Sequence, residues 1–498
     1  MGIKSTLSLP LAKWIRYNIN KWAKNPVEAQ AQTFSYLLKR AQGTCFGKNH
    51  GFKSIRTLDD FQKAVPIRDY EEISHYIDKI IKGEKDVLWP GLPIYFCKTS
   101  GTTSGTKYIP ISKQSIKHHI SAARNALFCY IAATGKADFV DGKMIFLQGS
   151  PLLDEKGIVP VGRLSGIVAN HVPSYLTKNR MPSFETNCID DWEAKVDAIV
   201  EETITEKMTL ISGIPPWVQM YFEKLLEVSK KETIRELFPH FSLMVYGGVN
   251  YEPYRNKMEQ LIGGEMDTIE LYPASEGFIA YQDDPNEEGL LLNLNGGILY
   301  EFVPTAEINK PNPQRLFLKD VELGVNYVII LHTDAGLWGY NIGDTVRFVS
   351  MNPYRIIVTG RIKHFTSAFG EHVIAEEVEY AIQQAQQKFG GEVVDFHVAP
   401  QVTPPNGELP YHEWLIEFAA FPENMVQFQQ ELENGLKSKN TYYKDLIEGK
   451  VLQPLKITTI SKNGFITFMK GEGKLGGQNK TPRLANDRKI AEKLLKYC

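Results

Sequence analysis

The chain has 498 residues, too many for one ordinary hydrophobic core, so at least two domains are expected. Its 43% hydrophobic and 23% charged residues are those of a globular protein, and no apolar run is long enough to cross a bilayer. With 56 basic against 58 acidic residues and a formal net charge of -2, it lacks the basic excess on which nucleic-acid binding draws.

From the start, "MGIKSTLSLPLAKWIRYNINKWAKN" has neither the apolar core nor the small-residue cleavage site of a secretory signal. Trp14, Ile15, Ile19 and Trp22 recur at helical spacing, which predicts an amphipathic helix packed on the body of the protein. Gly2 and Thr6 also fit the loose N-myristoylation pattern, which leaves membrane contact as the lesser alternative. Cys45, Cys97, Cys129, Cys188 and Cys498 are scattered with no CxxC pair. They read as reduced thiols of a cytoplasmic protein rather than a disulfide framework or a zinc site.

Strand-like and helix-like runs then alternate. "PIYFCK" precedes a glycine- and hydroxyl-rich loop, and Ile116, Ile120, Ala123, Leu127 and Ile131 after it share a helical face. Next come "KMIFLQG", a helix from about Asp190, "MTLISG", a helix after "IPPW", "FSLMVYGG", another helix and "TIELYP". This alternation predicts an α/β fold whose large N-terminal domain has mostly parallel sheets with flanking helices. Ligands of such sheets bind beyond the carboxyl ends of the strands, where several of these runs end in glycine or proline.

After "RIIVTGRIKHF" the pattern becomes helix (376–388), two strands, helix, strand and a final helix from Asn486. That describes a smaller α+β domain of about 130 residues, an ordinary domain size. The expected division is residues 1–360, a hinge at 361–365, and a mobile C-terminal lid at 366–498.

Four stretches carry candidate chemistry. In "TSGTTSGTK" (99–107), backbone N–H groups of a glycine-rich turn between strand and helix suit phosphate oxygens, with the helix amino end adding its dipole. Ser100, Thr102, Thr103 and Ser104 add hydroxyl donors and Lys107 a positive charge, although the spacing is not that of a Walker loop. In "YPASE" (272–276), Tyr272 ends a strand ahead of Ser275 and Glu276, an aromatic ring for a flat base and a carboxylate for magnesium. In "GYNIGD" (339–344), Gly343 is expected to set Asp344 in a sharp turn before a strand, where a carboxylate suits a ribose diol. In "GRIKHFTSAFGEHVIAEEVE" (360–379), Arg361 suits the same ribose or a phosphate.

Taken in this order, the four stretches resemble the adenylate-forming superfamily, and "YGGVN" (246–250), with Gly247 and Gly248, resembles its adenine-side loop. The extra residue in the phosphate loop, with Thr106 in place of proline, and the ending "GGQNKTPR" (476–483) are similar to the acyl acid amido synthetases of the plant auxin-responsive Gretchen Hagen family. Asn479 departs from the tyrosine of that family's ending.

The resemblance implies ATP and Mg2+ as cofactors, and a small carboxylic acid and an amino acid as substrates. The acid would be joined to AMP with loss of pyrophosphate, and the acyl group passed to the amine. It implies that Ser100, Thr102, Thr103 and Lys107 cradle phosphates, that Gly247, Gly248, Tyr272 and Ser275 border the nucleotide, that Glu276 ligates magnesium, and that Asp344 holds the ribose with Arg361 nearby. The closing lysine would be Lys480, with Lys470 and Lys474 as rivals. Pro215, Trp217, Val218 and Tyr221 are candidates for the acid-side wall or else plain core, and His171 is a candidate base or a structural histidine. Two alternatives stay open, an acyl-CoA synthetase sharing the adenylation step and a catalytically silent nucleotide-binding protein.

Overall fold

The computed structural model describes residues 2–102, 105–171, 178–189, 191–248, 251, 254–362, 365–371, 373–472 and 481–498. Before the first strand lie the N-terminal helix Ile3–Ala23 and the helices Pro26–Ala41, Cys45–Asn49, Leu58–Ala64 and Tyr70–Ile81. The last two begin at capping boxes, Thr57 with Asp60 and Asp69 with Glu72, in which each side chain satisfies a backbone N–H of the other. Ile73, Ile77 and Ile80 then bury one face of Tyr70–Ile81. Trp338 anchors this layer to the sheet, with ring centroids 4.9 Å from Phe52 and 5.9 Å from Phe46.

The strands in chain order are β1 (Tyr95–Thr102), β2 (Gly105–Ile111), β3 (Lys143–Phe146), β4 (Asp154–Lys156), β5 (Val159–Gly162), β6 (Arg180–Met181), β7 (Met208–Ser212), β8 (Leu243–Gly247), β9 (Asp267–Ala274) and β10 (Gly277–Tyr281). They continue with β11 (Leu290–Leu292), β12 (Ile298–Pro304), β13 (Asn326–Thr333), β14 (Tyr340–Met351), β15 (Tyr354–Arg361), β16 (Phe365–Thr366), β17 (Val373–Ile374), β18 (Glu392–Gln401), β19 (Tyr411–Ala420) and β20 (Lys456–Ile460).

One large sheet runs β12-β13-β14-β15-β11-β10-β9-β8-β7-β3-β6. From β9 to β6 every pairing is parallel, the half that the alternation of strands and helices predicts. From β9 to β12 every pairing is antiparallel, most of them between strands consecutive in the chain, with β11 pairing across to β15. A second sheet, β2-β1-β5-β4, carries the glycine-rich stretch, and a third, β18-β19-β20, lies in the C-terminal part.

In that C-terminal part, helices Ala375–Phe389 and Met425–Lys439 pack together beside the third sheet. A Cβ at Gly435 would lie 2.9 Å from the Cα of Ala381, so the glycine is what lets the two helices approach so closely. One buried cluster joins Val218, Met244 and Tyr254 through Ala368 and Phe369 to Trp414 and Leu436, so the C-terminal part rests on the parallel half of the large sheet. The chain between β18 and β19, which includes "TPPNGEL", connects two paired strands, as its flanking apolar runs predict.

Candidate active site

The glycine-rich stretch differs from the expected strand, loop and helix. It forms the tip of an antiparallel hairpin in which Thr99 faces Lys107 and Thr102 faces Gly105, with an irregularity between Thr99 and Thr102. The next helix, Ser115–Thr134, starts only after β2, so its amino end does not follow the glycine turn and adds no dipole there. The physical reason is that "TKYIPI" is itself a β-prone run and continues as a strand. Lys107 is half-buried, its ammonium 5.8 Å from the centre of the Tyr70 ring. Thr103 and Ser104 lie outside the described residues, as do the side chains of Ser100 and Thr102.

At the stem of the hairpin, the Cys97 thiol donates to the Ser275 hydroxyl across 3.1 Å. Burial pushes this thiol up to about 12, the bond to Ser275 pulls the other way, and the Glu276 carboxylate adds to the rise, so Cys97 stays protonated and able to donate. Ser275 and Glu276 form the two-residue turn between β9 and β10, where Ala274 faces Gly277. A Cβ at Gly277 would sit 2.5 Å from Ile298 Cδ1, so the glycine lets β12 pack closely on the strand after the turn.

Three residues before Ser275, the Tyr272 hydroxyl donates to Asp344 Oδ2 across 2.6 Å, and each residue is only 8% exposed. Asp344 is not in a turn ahead of a strand as the sequence suggests. It lies within β14, where Gly343 at φ +85° puts a kink in the ladder and its N–H bonds to Asn341 Oδ1 at 2.9 Å. The kink supplies what a turn would, a carboxylate aimed out of the strand's regular alternation. Asp344 pairs across the ladder with Arg361, whose side chain lies outside the described residues.

Gly247 ends β8 opposite Leu271 of β9, and a Cβ there would come within 2.3 Å of the Leu271 carbonyl oxygen. Gly248 follows at φ +76° with open space around it. The Gly247 strand end, Tyr272, the Ser275–Glu276 turn, Asp344 and the hairpin stem are thus joined through β8 pairing with β9, Tyr272 bonding to Asp344, and Cys97 bonding to Ser275. This gathers them near the carboxyl ends of β8 and β9, the end at which open α/β sheets bind ligands. Among the described residues this brings together a carboxylate of the kind that suits a diol, a glycine backbone open to close approach and the Ser275 hydroxyl. Among the described residues no group of three or more His, Cys, Asp or Glu forms a metal cage. Glu276 stands in the turn as a single carboxylate, the sparse protein ligation that magnesium accepts when phosphates share its shell.

The acid-side candidates separate. On the helix Pro215–Ser229, Val218 and Tyr221 are fully buried, and the Tyr221 hydroxyl shares a 2.7 Å bond with Thr203, so these two are plain core. Pro215 is buried at the first turn and Trp217 is half-buried. The His171 Nε2 lies 3.0 Å from the Tyr95 hydroxyl, with the rings edge to face, and burial lowers the imidazole below its usual range. Lys470 is exposed in the last turn of the helix Gly464–Gly471 rather than in a loop. Lys474 and Lys480 lie outside the described residues.

One contact at the hairpin stem is not marked by any motif. From the helix Thr441–Glu448, the Tyr442 hydroxyl donates to the Lys98 carbonyl at 3.4 Å, Asp445 pairs with Arg163, and the Arg163 guanidinium sits 4.7 Å from the centre of the Tyr442 ring. These residues bring the C-terminal part against the stem of the glycine-rich hairpin. None of them stands in a motif, and only their separation of more than 270 residues in sequence made the contact illegible.

Comparison with known proteins bears on the whole chain. Family models match the GH3 family N-terminal domain over residues 16–186, its central domain over 291–361 and its C-terminal domain over 376–489. A jasmonoyl–L-amino acid synthetase of Oryza sativa subsp. japonica is 22% identical, covering 93% of each chain. An indole-3-acetic acid-amido synthetase of Arabidopsis thaliana is 21% identical over 99% of this chain and 96% of its own. The structure of AtGH3.15 acyl acid amido synthetase in complex with 2,4-DB shares the fold, with a TM-score of 0.63 and 17% identity over 98% of this chain and 96% of that one.

Proposed function

Because this chain belongs to the GH3 family, we propose that it is an ATP-dependent acyl acid amido synthetase acting on a small carboxylic acid and an amino acid. The observation that carries the reading is the Tyr272 to Asp344 bond, which joins two motifs 72 residues apart beside the Ser275–Glu276 turn. The named activities of the rice and Arabidopsis relatives, which form amides between acids and amino acids, support the acceptor.

A carboxylate is unreactive toward amines because its leaving group would be oxide. In the first step a carboxylate oxygen attacks the α-phosphorus of ATP, and the bond to the β-phosphate breaks, releasing pyrophosphate. In the second the amine nitrogen attacks the acyl carbon, AMP leaves with the bonding electron pair, and the nitrogen gives up a proton. Asp344, oriented by Tyr272, accepts the ribose hydroxyls, with Arg361 beside it. Gly247 and Gly248 let the backbone approach the base, and Tyr272 and Ser275 border the AMP moiety. The hairpin's Ser100, Thr102, Thr103 and Lys107 hold the phosphates. Magnesium at Glu276 supplies positive charge to the phosphate oxygens when bound. Lys480, or its rivals Lys470 and Lys474, adds charge at the α-phosphate, where it develops in the transition state. A division into residues 1–360, a hinge at 361–365 and a lid at 366–498 lets one site serve both steps and keeps water from the adenylate. The five cysteines form no disulfide with one another, which supports a reducing, cytoplasmic setting.

The test is ATP–pyrophosphate exchange over a panel of carboxylic acids, repeated for active acids with pooled amino acids and separately with CoA, the products read by mass spectrometry. Acid-dependent exchange followed by an amide is expected. A thioester with no amide would transfer the chain to the acyl-CoA synthetases, and no exchange with any acid would remove the adenylation reading.

A further inference from the structure

The N-terminal helix Ile3–Ala23 is apolar on two sides. Ala12, Ile15, Ile19 and Ala23 form the buried side and pack with Ala122, Ala126 and Cys129 of the helix Ser115–Thr134. On the other side Ile3, Leu7, Leu11, Trp14 and Tyr17 follow one another at spacings of four, four, three and three, and they are 82%, 65%, 43%, 62% and 61% exposed. At 3.6 residues per turn, the middle of this row lies roughly 150° around the helix from the buried stripe. Single exposed apolar residues are ordinary, but an unbroken ridge along the length of a helix marks a contact surface.

Charge identifies what covers it. Residues 1–27 hold Lys4, Lys13, Arg16, Lys21 and Lys24 and no Asp or Glu. Arg16 is engaged inward, 2.6 Å from the Asp283 carboxylate, while the four lysines are exposed. Lys4 flanks one edge of the ridge and Lys13 and Lys24 the other. Lys21 lies over the Tyr17 ring at 4.5 Å, its stem along the ridge and its ammonium at the rim. A second copy of this chain meeting ridge to ridge would set these lysines against one another with no acid from either helix, which opposes self-association here. An anionic lipid surface suits both features, since leucine and isoleucine enter the acyl boundary, tryptophan and tyrosine suit the headgroup level, and lysines neutralise lipid phosphates.

We propose that the N-terminal helix lies flat in an anionic membrane surface, inserting Ile3, Leu7, Leu11, Trp14 and Tyr17. Attachment of this kind is reversible and needs no spanning segment, and no described helix is long and apolar enough to cross a bilayer.

The test is flotation of the full-length protein with phosphatidylserine-rich vesicles, with phosphatidylcholine vesicles, and with the first at high salt. Binding is expected to the anionic vesicles alone and to weaken with salt. Leu7→Glu with Trp14→Glu is expected to lower the bound fraction at least about tenfold, and Lys13→Gln with Lys21→Gln to lower it less and remove most of the salt dependence. Both pairs face solvent, so circular dichroism and thermal melting should match the wild type. Absence of wild-type binding to anionic vesicles, or unchanged binding by the glutamate pair, overturns the proposal. So does a concentration-dependent dimer that the glutamate pair dissolves while vesicles capture nothing, which would make the ridge a contact between copies.

Discussion

Replacing Tyr272 by phenylalanine removes one oxygen and keeps the ring. That oxygen donates across 2.6 Å to Asp344, and both residues are nearly buried, so water does not readily replace it. A hydrogen bond to an ionised acceptor contributes about 1.5–3 kcal/mol. The bond joins two buried parts of the fold, so its loss divides between folding and binding. If its main effect is to hold Asp344 toward the ribose, most of the loss appears in ATP affinity, about 10- to 150-fold. The assay is a double-mutant cycle of Tyr272→Phe, Asp344→Ala and the pair, reading ATP affinity by calorimetry and stability by urea unfolding. The expected pattern is a weakened Tyr272→Phe single variant and a pair no weaker than Asp344→Ala alone. ATP affinity within twofold of wild type in Tyr272→Phe, with only stability reduced, would refute the positioning role and leave Tyr272 as a buried donor.

Lys480→Ala is expected to abolish acid-dependent pyrophosphate exchange while still binding ATP; retained exchange moves the closing charge to Lys470 or Lys474. Arg315 bonds Glu301 at 2.5 and 2.9 Å and also donates to the carbonyls of Gln62 and Val65, tying the N-terminal layer to β12. Arg315→Met removes the cation from the fully buried Glu301 carboxylate, leaving it His332 Nε2 at 3.2 Å, and should cost about 3–5 kcal/mol in urea unfolding, whereas a loss under about 1 kcal/mol would contradict that account. His119 is fully buried with both ring nitrogens unbonded, and burial first, then the neighbouring His118, lower it to about 4. Its folded value lies below the unfolded one near 6.5, so the unfolded chain binds more protons as pH falls between them, and about 3 kcal/mol of stability is lost across that window. His119→Phe should flatten this part of the stability profile, and an unchanged slope would assign it to other groups. Arg163→Ala with Tyr442→Ala removes the contact between the C-terminal part and the hairpin stem, and solution scattering should then show a larger radius of gyration.

Some of this architecture was legible in residue order and some was not. "MTLIS" and "LMVYG" appear as parallel neighbours because each is a short apolar run followed by a helical pattern, which leaves few other arrangements. The hairpin at 95–111 was misread because periodicity cannot distinguish a second short strand from the loop before a helix. The location of Asp344 was misread for a related reason. Gly343 signals a positive φ equally well in a turn and in a kinked strand, and only the pairing with β15 distinguishes them. Val218 and Tyr221 looked equally suited to a pocket wall or a core; in the fold both are fully buried, and the Tyr221 hydroxyl shares its hydrogen bond with Thr203, 18 residues earlier.

The contacts of the C-terminal part also differ in kind, and that difference bears on how the two proposed steps share one site. Beneath the sheet it is held by apolar burial around Ala368 and Phe369, which lie just past the proposed hinge, and by the Tyr254 hydroxyl donating to the Ala368 carbonyl at 2.7 Å. At the hairpin it is held by an ion pair, a stacked guanidinium and one long hydrogen bond, with Asp445 44% exposed at its side chain. Such partly solvated contacts contribute about 1 kcal/mol each at most and can break and re-form as a lid moves. A contact that is strong near the pivot and weak at the rim is the distribution that rotation about residues 361–365 requires. A strong rim would hold the site in one state, and a weak pivot would let the lid lose its register with the adenylate.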